Sequence, residues 1–463
     1  MRGKIAAIAC ALITALALGG CSGSPVDPPA SSPSDPVATT DAPATTEAPK
    51  SEDITFWLIG GDTPQALRDY LVDQYKTVNG GTLTIEEQTW GDIITKLTTM
   101  LPDASNTPDV TEIGNTQSPT FTNVGAFADI SDMYEKLGGD KLLQSFVEVG
   151  EVDGKKYTLP YYFGSRYMFY RADVWKDAGV TAPPATLDDF NAAVKTITEK
   201  NPNSIADFSG LFLGGQDWRN GISWIFANGG ELAKKEGDKW VSTLSDPNTI
   251  KGLTQLQDLH KAASMAPSTA KDQSPWLYIN DTDAQTDADG VETKTSLAAA
   301  TIMAPGWAHW SIGDLVKGDD GKDVRTWNDD KFGVFALPGN DGKPAPVFAG
   351  GSNIGISAKS TKQEGARQLL EIIFSSEYQN LLGQNGLGPA NSDNVSSLGD
   401  DIFAKALIDS ASNSKLTPAA PGWATVENSL KLEEFFQKVA DGGDIAALAA
   451  EYDAIISPML NGS

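Results

Sequence analysis

The sequence predicts an α/β protein of two lobes carried on a polar tether. Three observations lead there. From residue 53 onward, strand-like apolar runs alternate with stretches of helical period, the pattern of helices flanking a sheet. About 410 residues follow the tether, more than the roughly 250–300 at which a single core stops growing, so two cores are expected. Residues 22–50 are Pro, Ser, Thr, Ala and acidic residues, too poor in apolar side chains to offset the entropy of ordering.

The first segment, residues 1–21, reads as an export signal. Arg2 and Lys4 precede an apolar run from Ile5 to Leu18, too short to span a bilayer as a stable helix. It ends in Leu18-Gly19-Gly20-Cys21, a pattern that looks like a bacterial lipobox, with Cys21 as the acylated residue. Two or more acyl chains anchor a protein stably where one does so only marginally. The 22–50 segment then serves as a leash of roughly 30 Å as coil and ~90 Å if extended.

The folded part follows in order. "DITFWLIGGD" is a strand ending in glycines, and "TPQALRDYLVDQYKTVNGG" is a helix with a Gly stop. "TLTIEEQTW" is a strand, "GDIITKLTTMLP" a helix and "PDVTEIGN" a strand. "LGGDKLLQSFVEVGEVDGKKYTLPYY" adds a helix and a turn-linked strand pair, and "SRYMFYRADVWKDAG" runs from strand into helix. "TLDDFNAAVKTITEK" is a capped helix, and 220–265 is largely helical, broken by a Gly-rich bend and "KKEGDKWVS". "LAAATIMAPGW", "KFGVFALPG" and "NIGISAKS" are strands, and helices close the chain.

Composition excludes several functions. The formal net charge is −26 with no basic run, which disfavours nucleic acid and polyanions. Cys10 leaves with the signal and Cys21 carries lipid, so no disulfide is available. His260 and His309 stand apart from any metal-ligand spacing, and His260 reads as a solvated or capping residue. No cofactor or metal is expected. "DTDAQTDADGVE" (281–292) has oxygen side chains spaced as in a calcium loop, but Thr286 replaces the turn glycine and no helix precedes it. A solvated acidic loop is the preferred reading.

A resemblance now becomes specific. "PDVTEIGNTQ", "GKKYTLPYYFGSRYMFYRADVWKDAGVTAPPATLDDF", "APGW", "GVFALPG", "VFAGGSNIGIS" and "SSEYQNLLGQNG" occur in the order found in family 1 extracellular solute-binding proteins. These are the sugar receptors of ABC importers, maltose-binding protein among them. "IGNTQ" and "GGSN" are similar to actinobacterial disaccharide-binding lipoproteins, including those for chitobiose. The resemblance implies a type 2 periplasmic-binding-protein fold with discontinuous lobes joined by hinge strands. One lobe would hold 53–162 and 352–395, the other 163–351 and 396–463. The crossings would lie near Tyr162–Arg166 and Gly350–Asn353, where glycines absorb rotation. It also implies a non-enzymatic monomer, held at the extracellular face of the cell membrane through its N-terminal lipid alone. Its partners would be a neutral oligosaccharide and a separate ABC permease.

A neutral sugar offers C–H faces to aromatic rings and hydroxyls to planar polar side chains. The chain has eleven Trp. Trp57, Trp175, Trp240 and Trp327 read as packing residues. Trp218 and Trp224 flank a polar "RNGIS" loop, Trp307 follows "APG" and Trp423 lies in "PGWAT"; these four are taken as ligand-stacking rings. Trp90 and Trp276 join them, with Trp310 less favoured. Asp62, Asn115, Gln117, Ser352 and Asn353 are the polar candidates at strand ends, and Arg166 is either a hydroxyl donor or an interlobe ion pair. A secreted glycoside hydrolase, a structural surface lipoprotein, or a same-fold receptor for a polyol or an N-acetylated sugar stay open as alternatives.

Overall fold

The computed structural model describes residues 51–462 apart from 272–274, 287–291, 296 and 319–320, with backbone alone at 283–286 and 292–295. The signal segment, Cys21 and the leash lie outside the described residues.

The chain opens with β1 (Ile54–Ile59), buried almost throughout, and α1 (Gln65–Val78), which buries Leu67, Leu71 and Tyr75 at four-residue spacing. β2 (Leu83–Gln88), α2 (Ile93–Met100) and β3 (Val110–Gly114) follow, and β1 pairs in parallel with both other strands. Next come α3 (Ser118–Asn123), α4 (Gln144–Glu148) and a minimal hairpin of β4 (Glu151–Val152) and β5 (Lys155–Lys156). β6 (Thr158–Arg171) is a single strand of 14 residues. After it run α5 (Ala172–Asp177), α6 (Leu187–Lys200) and α7 (Trp218–Ala227). Thr186 caps α6 by accepting from Asp189 N, as its Thr-Leu-Asp-Asp start predicts. The "KKEGDKWVS" interruption is a hairpin of β7 (Ala233–Glu236) and β8 (Lys239–Ser242) before α8 (Pro247–Ala262).

The acidic loop is part of an antiparallel hairpin, β9 (Asp283–Thr286) with β10 (Glu292–Thr295). Asp281, its first residue, is not merely solvated: it meets Arg171 at 2.8 Å and Lys331 at 2.7 Å. The side chains of 283–296 lie outside the described residues. β11 (Thr301–Pro305), a hairpin of β12 (Asp314–Lys317) and β13 (Asp323–Thr326), β14 (Phe332–Phe335) and β15 (Ala349–Ile356) complete the middle of the chain. α9 (Gln363–Ile373), α10 (Ser376–Gln384), β16 (Gly388–Pro389), α11 (Ile402–Ala411), α12 (Trp423–Asn428), α13 (Lys431–Ala440) and α14 (Ile445–Met459) close it. None of the described helices is long and apolar enough to cross a membrane.

One eight-stranded sheet runs β11-β6-β15-β3-β1-β2, with β14 and β16 also on β6. β6 changes partner along its length. Its first half, Thr158 to Ser165, lies against β15; from Arg166 it pairs with β11 and then β14. The side chains follow suit. Leu159 and Tyr161 enter a core with Phe56, Leu71, Ile354 and Tyr378, whereas Met168 enters a second core with Trp175, Leu256 and Phe435. β15 lies antiparallel beside it, with a bulge between Ser352 and Asn353 and Gly351 at φ 138°, where a Cβ would stand 2.5 Å from Tyr162 O. Two α/β cores are thus joined through two adjacent strands.

His260 sits in the last turn of α8, where a capping residue belongs, and is half-buried rather than freely solvated; burial holds its imidazole down to about 4, so it is neutral.

Candidate functional site

The three parallel strands β1, β2 and β3 end at one edge of the sheet, the edge outside which α/β proteins bind ligands. Asp62 follows β1, Trp90 follows β2, and Asn115 and Gln117 follow β3. Trp90 lies over the glycines that end β1 and β3. A Cβ on Gly60 would fall 2.8 Å from Trp90 Nε1, and one on Gly114 would fall 3.2 Å from its Cζ3 and 2.7 Å from Gln117 Oε1. Asp62, Trp90 and Gln117 therefore share one small surface, with 41% of Trp90 exposed.

Behind that surface lies a residue the sequence reading passed over. Glu112, in the middle of β3, is 1% exposed. Its Oε2 accepts from Ile59 N at 2.8 Å, taking over a place in the ladder where β1 and β3 diverge. Tyr162 Oη lies 3.3 Å from Glu112 Oε1 and 3.2 Å from Asp62 Oδ2. Burial pushes the Glu112 carboxyl up to about 7. The signal in sequence was a single carboxylate inside "DVTEIG", which a strand with one wet face would also produce. Ser352 stands in the same rungs, opposite Gly114 and Tyr162.

Two polar candidates are corrected. Asn115 Nδ2 donates to Ala349 O at 2.9 Å, and Asn353 Nδ2 donates to Phe146 O at 2.8 Å and Thr158 Oγ1 at 3.1 Å. Both amides hold the crossing strands together. The bulge after Ser352 turns Asn353 to the interior, where it is fully buried.

Two aromatic candidates are corrected as well. "RNGIS" is not a loop but the opening of α7, capped by Asp217. Six residues apart on a helix, Trp218 and Trp224 point about 120° apart. Trp224 is 0% exposed, packs on Phe190 and donates its indole N–H to Asn191 at 3.1 Å. It is core. Trp218 is enclosed too: Arg219 covers one face at 4.4 Å, and its N–H reaches Glu433 at 3.1 Å.

Trp218 instead backs Trp423, edge to face at 6.2 Å. Trp423 starts α12 and is 1% exposed, with no acceptor for its Nε1–H among the described residues. Buried Arg166, opposite Pro305 in the ladder, holds its guanidinium 5.7 Å from the Phe348 ring centre, and Phe348 in turn abuts Trp218. Just beyond Pro305, Trp307 is half-exposed and meets Trp276 edge to face at 4.9 Å. Trp310, the less favoured ring, is 71% exposed.

The two groups meet across a seam. Thr116 Oγ1, from the loop after β3, donates to Glu427 Oε2 on α12 at 3.0 Å, and Arg219 reaches Glu427 Oε1 at 3.3 Å. Ala424 N donates to Thr120 Oγ1 at 3.3 Å. Two surface grooves, of about 320 and 790 Å³, contain none of the residues predicted to bind ligand.

Two α/β cores that share a sheet through adjacent crossing strands and touch at the strand-end loops define the two-lobed periplasmic-binding-protein fold. The chain belongs to the bacterial extracellular solute-binding protein family, whose model matches residues 70–406. It is 32% identical over 379 residues to diacetylchitobiose binding protein DasA of Streptomyces coelicolor, covering 81% of this chain and 82% of that one. In structure it is similar to the sugar-binding protein MalE from Xanthomonas citri, with TM-score 0.71, 18% identity, and 88% and 97% of the two chains covered. It is also similar to the cyclic alpha-maltosyl-1,6-maltose binding protein from Arthrobacter globiformis, with TM-score 0.69, 15% identity and 89% and 100% covered. At such identities these two structures establish the fold alone.

Proposed function

We propose that this protein is an extracellular, lipid-anchored monomeric receptor that closes around a neutral oligosaccharide, a disaccharide in the first instance, and delivers it to an ABC permease. The observation that carries the reading is the seam. Trp423 Nε1 and Gln117 Oε1 are a buried donor and a buried acceptor without partners among the described residues, on the two sides of the Thr116–Glu427 contact. Each such atom costs about 1–3 kcal/mol. A sugar hydroxyl both donates and accepts, so it satisfies either kind.

Asp62, Trp90, Gln117 and Ser352 would meet the sugar from the lobe of 53–162 and 352–395. Arg166, Trp423 and the Trp276–Trp307 pair would meet it from the lobe of 163–351 and 396–463. The ligand favours closure only through contacts that exist in the closed form. Because the 32%-identical relative is named for diacetylchitobiose, an N-acetylated disaccharide is the first sugar to test. A hydrolase would need two carboxyls facing one glycosidic bond; Glu112 is buried behind Tyr162, which favours binding without turnover. Acylation at Cys21 and the 22–50 leash would keep the receptor within reach of its permease.

Calorimetric titration with diacetylchitobiose, cellobiose, maltose and trehalose tests this reading. It expects heat and thermal stabilisation for at least one sugar and no release from aryl glycosides. Absence of heat for the whole panel would end it.

A further inference from the structure

Tyr162 has one hydroxyl hydrogen and two carboxyl oxygens within reach, at 3.2 Å on Asp62 and 3.3 Å on Glu112. With both carboxyls ionised, one of these contacts would set acceptor against acceptor. Glu112 Oε2 is already occupied by Ile59 N–H, and Oε1 faces the phenol. We infer that Glu112 is a positioning residue for sugar recognition: it holds a proton on Oε1 and donates it to Tyr162 Oη, so that Tyr162 donates to Asp62 and orients that carboxylate toward the ligand. The inference rests on the reading of Asp62 as a sugar-binding group.

The surroundings agree. No salt bridge to Glu112 occurs among the described residues, and an unpaired buried carboxylate neutralises rather than stay charged. From the loop after β1 it faces Asp62, an acid; from β15 it faces the Ser352 hydroxyl, which bears on Glu112 and Tyr162 alike and opposes part of the effect of burial; from β6 it faces Tyr161 and Tyr162; from α10 it faces Tyr378, whose hydroxyl meets that of Tyr161 at 2.7 Å. On β2, Glu87 bears on Asp62 and is itself paired with Arg68 of α1 at 2.8 Å. Arg68 also donates to Thr63 O and Gly60 O, and is thereby held at the loop rather than at Glu112. Loss of a carboxyl proton near pH 7 would leave Tyr162's single hydrogen contested by two anions. Asp62 would then lose one of its two orienting donors and keep only Trp90.

The test compares wild type with Glu112→Gln and Glu112→Leu, titrated with diacetylchitobiose from pH 6 to 8.5. Losing one charge-assisted hydrogen bond corresponds to about a tenfold change in affinity, so wild-type binding should weaken about tenfold over that range. Glu112→Gln places an amide donor where the proton sits. That variant should show a flat profile and bind more tightly than wild type at pH 8.5, whereas Glu112→Leu should be weaker at every pH.

A ligand-free readout separates this inference from the proposed function. Glu112 with a folded pKa raised above 4.5 retains a proton that the unfolded chain releases, so its contribution to stability falls as pH rises from 4.5 to about 7. Glu112→Gln should lack that slope in thermal unfolding. Sugar binding that is flat with pH in wild type, or a Glu112→Gln variant that keeps the wild-type profile and slope, overturns the positioning role while the receptor stands. No heat from any sugar, with the slope difference intact, overturns the receptor and the role at Asp62 together.

Discussion

Thr116 and Glu427 are 311 residues apart in the chain and 3.0 Å apart in space, the hydroxyl of one lobe donating to the carboxylate of the other. Glu427 is buried, and that burial raises its pKa even with Arg219 beside it. A carboxylate enclosed at a seam and held by two donors is satisfied only while the two sides touch, so under the proposed hinge closure its bonds would belong to the closed state.

Thr116→Val keeps the shape and removes the donor. Losing one such bond costs about 1 kcal/mol, which moves the closing equilibrium about fivefold toward open. With the ligand-free protein mostly open, sugar affinity should fall by about that factor at a constant radius of gyration; with it mostly closed, the radius measured by solution scattering should grow and affinity should fall by less. An unchanged affinity and radius would mean that the contact does not contribute to closure.

Much of the architecture was legible because its signals are local. Apolar periodicity and glycine stops located β1 through β3 and their helices, and Thr186, directly before Leu187, announced its helix as the N-cap. What the sequence could not carry was direction. Trp224 and Trp423 look alike as indoles near polar residues, and both enter the same core, but the first gives its N–H to Asn191 while the second has no acceptor for its N–H among the described residues. Asn353 follows two glycines as a ligand-binding residue could, but a bulge turns it inward. Glu112 was hidden for the converse reason: a carboxylate in a strand reads as solvated until its neighbours on three other elements are known.

The two tryptophans retained nearest the site should now behave differently. Trp307 is half-exposed, so Trp307→Ala should leave apo stability nearly unchanged and lower sugar affinity about tenfold, the equivalent of ~1.4 kcal/mol of lost stacking. Trp423 is fully enclosed, so Trp423→Ala should cost about 3–5 kcal/mol of stability. Trp423→Phe isolates the indole N–H and should weaken binding with far less damage to the fold. If Trp423→Phe binds as wild type does, the N–H has no ligand role.

Asn353→Ala should destabilise without altering which sugar binds. It strips the donor from Phe146 O and Thr158 Oγ1 in a fully buried place, at a cost of about 2 kcal/mol. Chemical denaturation measures this. A variant as stable as wild type would restore Asn353 to the ligand-binding candidates.

His260 should set part of the protein's acid sensitivity. Burial lowers its pKa from 6.5 to about 4, with Asp441 opposing the shift. Between those values the unfolded chain binds a proton that the folded protein refuses, so stability falls as pH drops from 6.5 toward 4 and is unaffected by this group above 6.5. The sign is opposite to that of Glu112, whose contribution declines as pH rises. His260→Gln removes the titration from α8 without adding charge. Relative to wild type, that variant should gain unfolding temperature steadily below pH 6.5 and show no such gain at pH 8. Parallel curves for the two proteins across pH 4 to 8 would show that His260 titrates alike in the folded and unfolded states, and that the end of α8 opens to water.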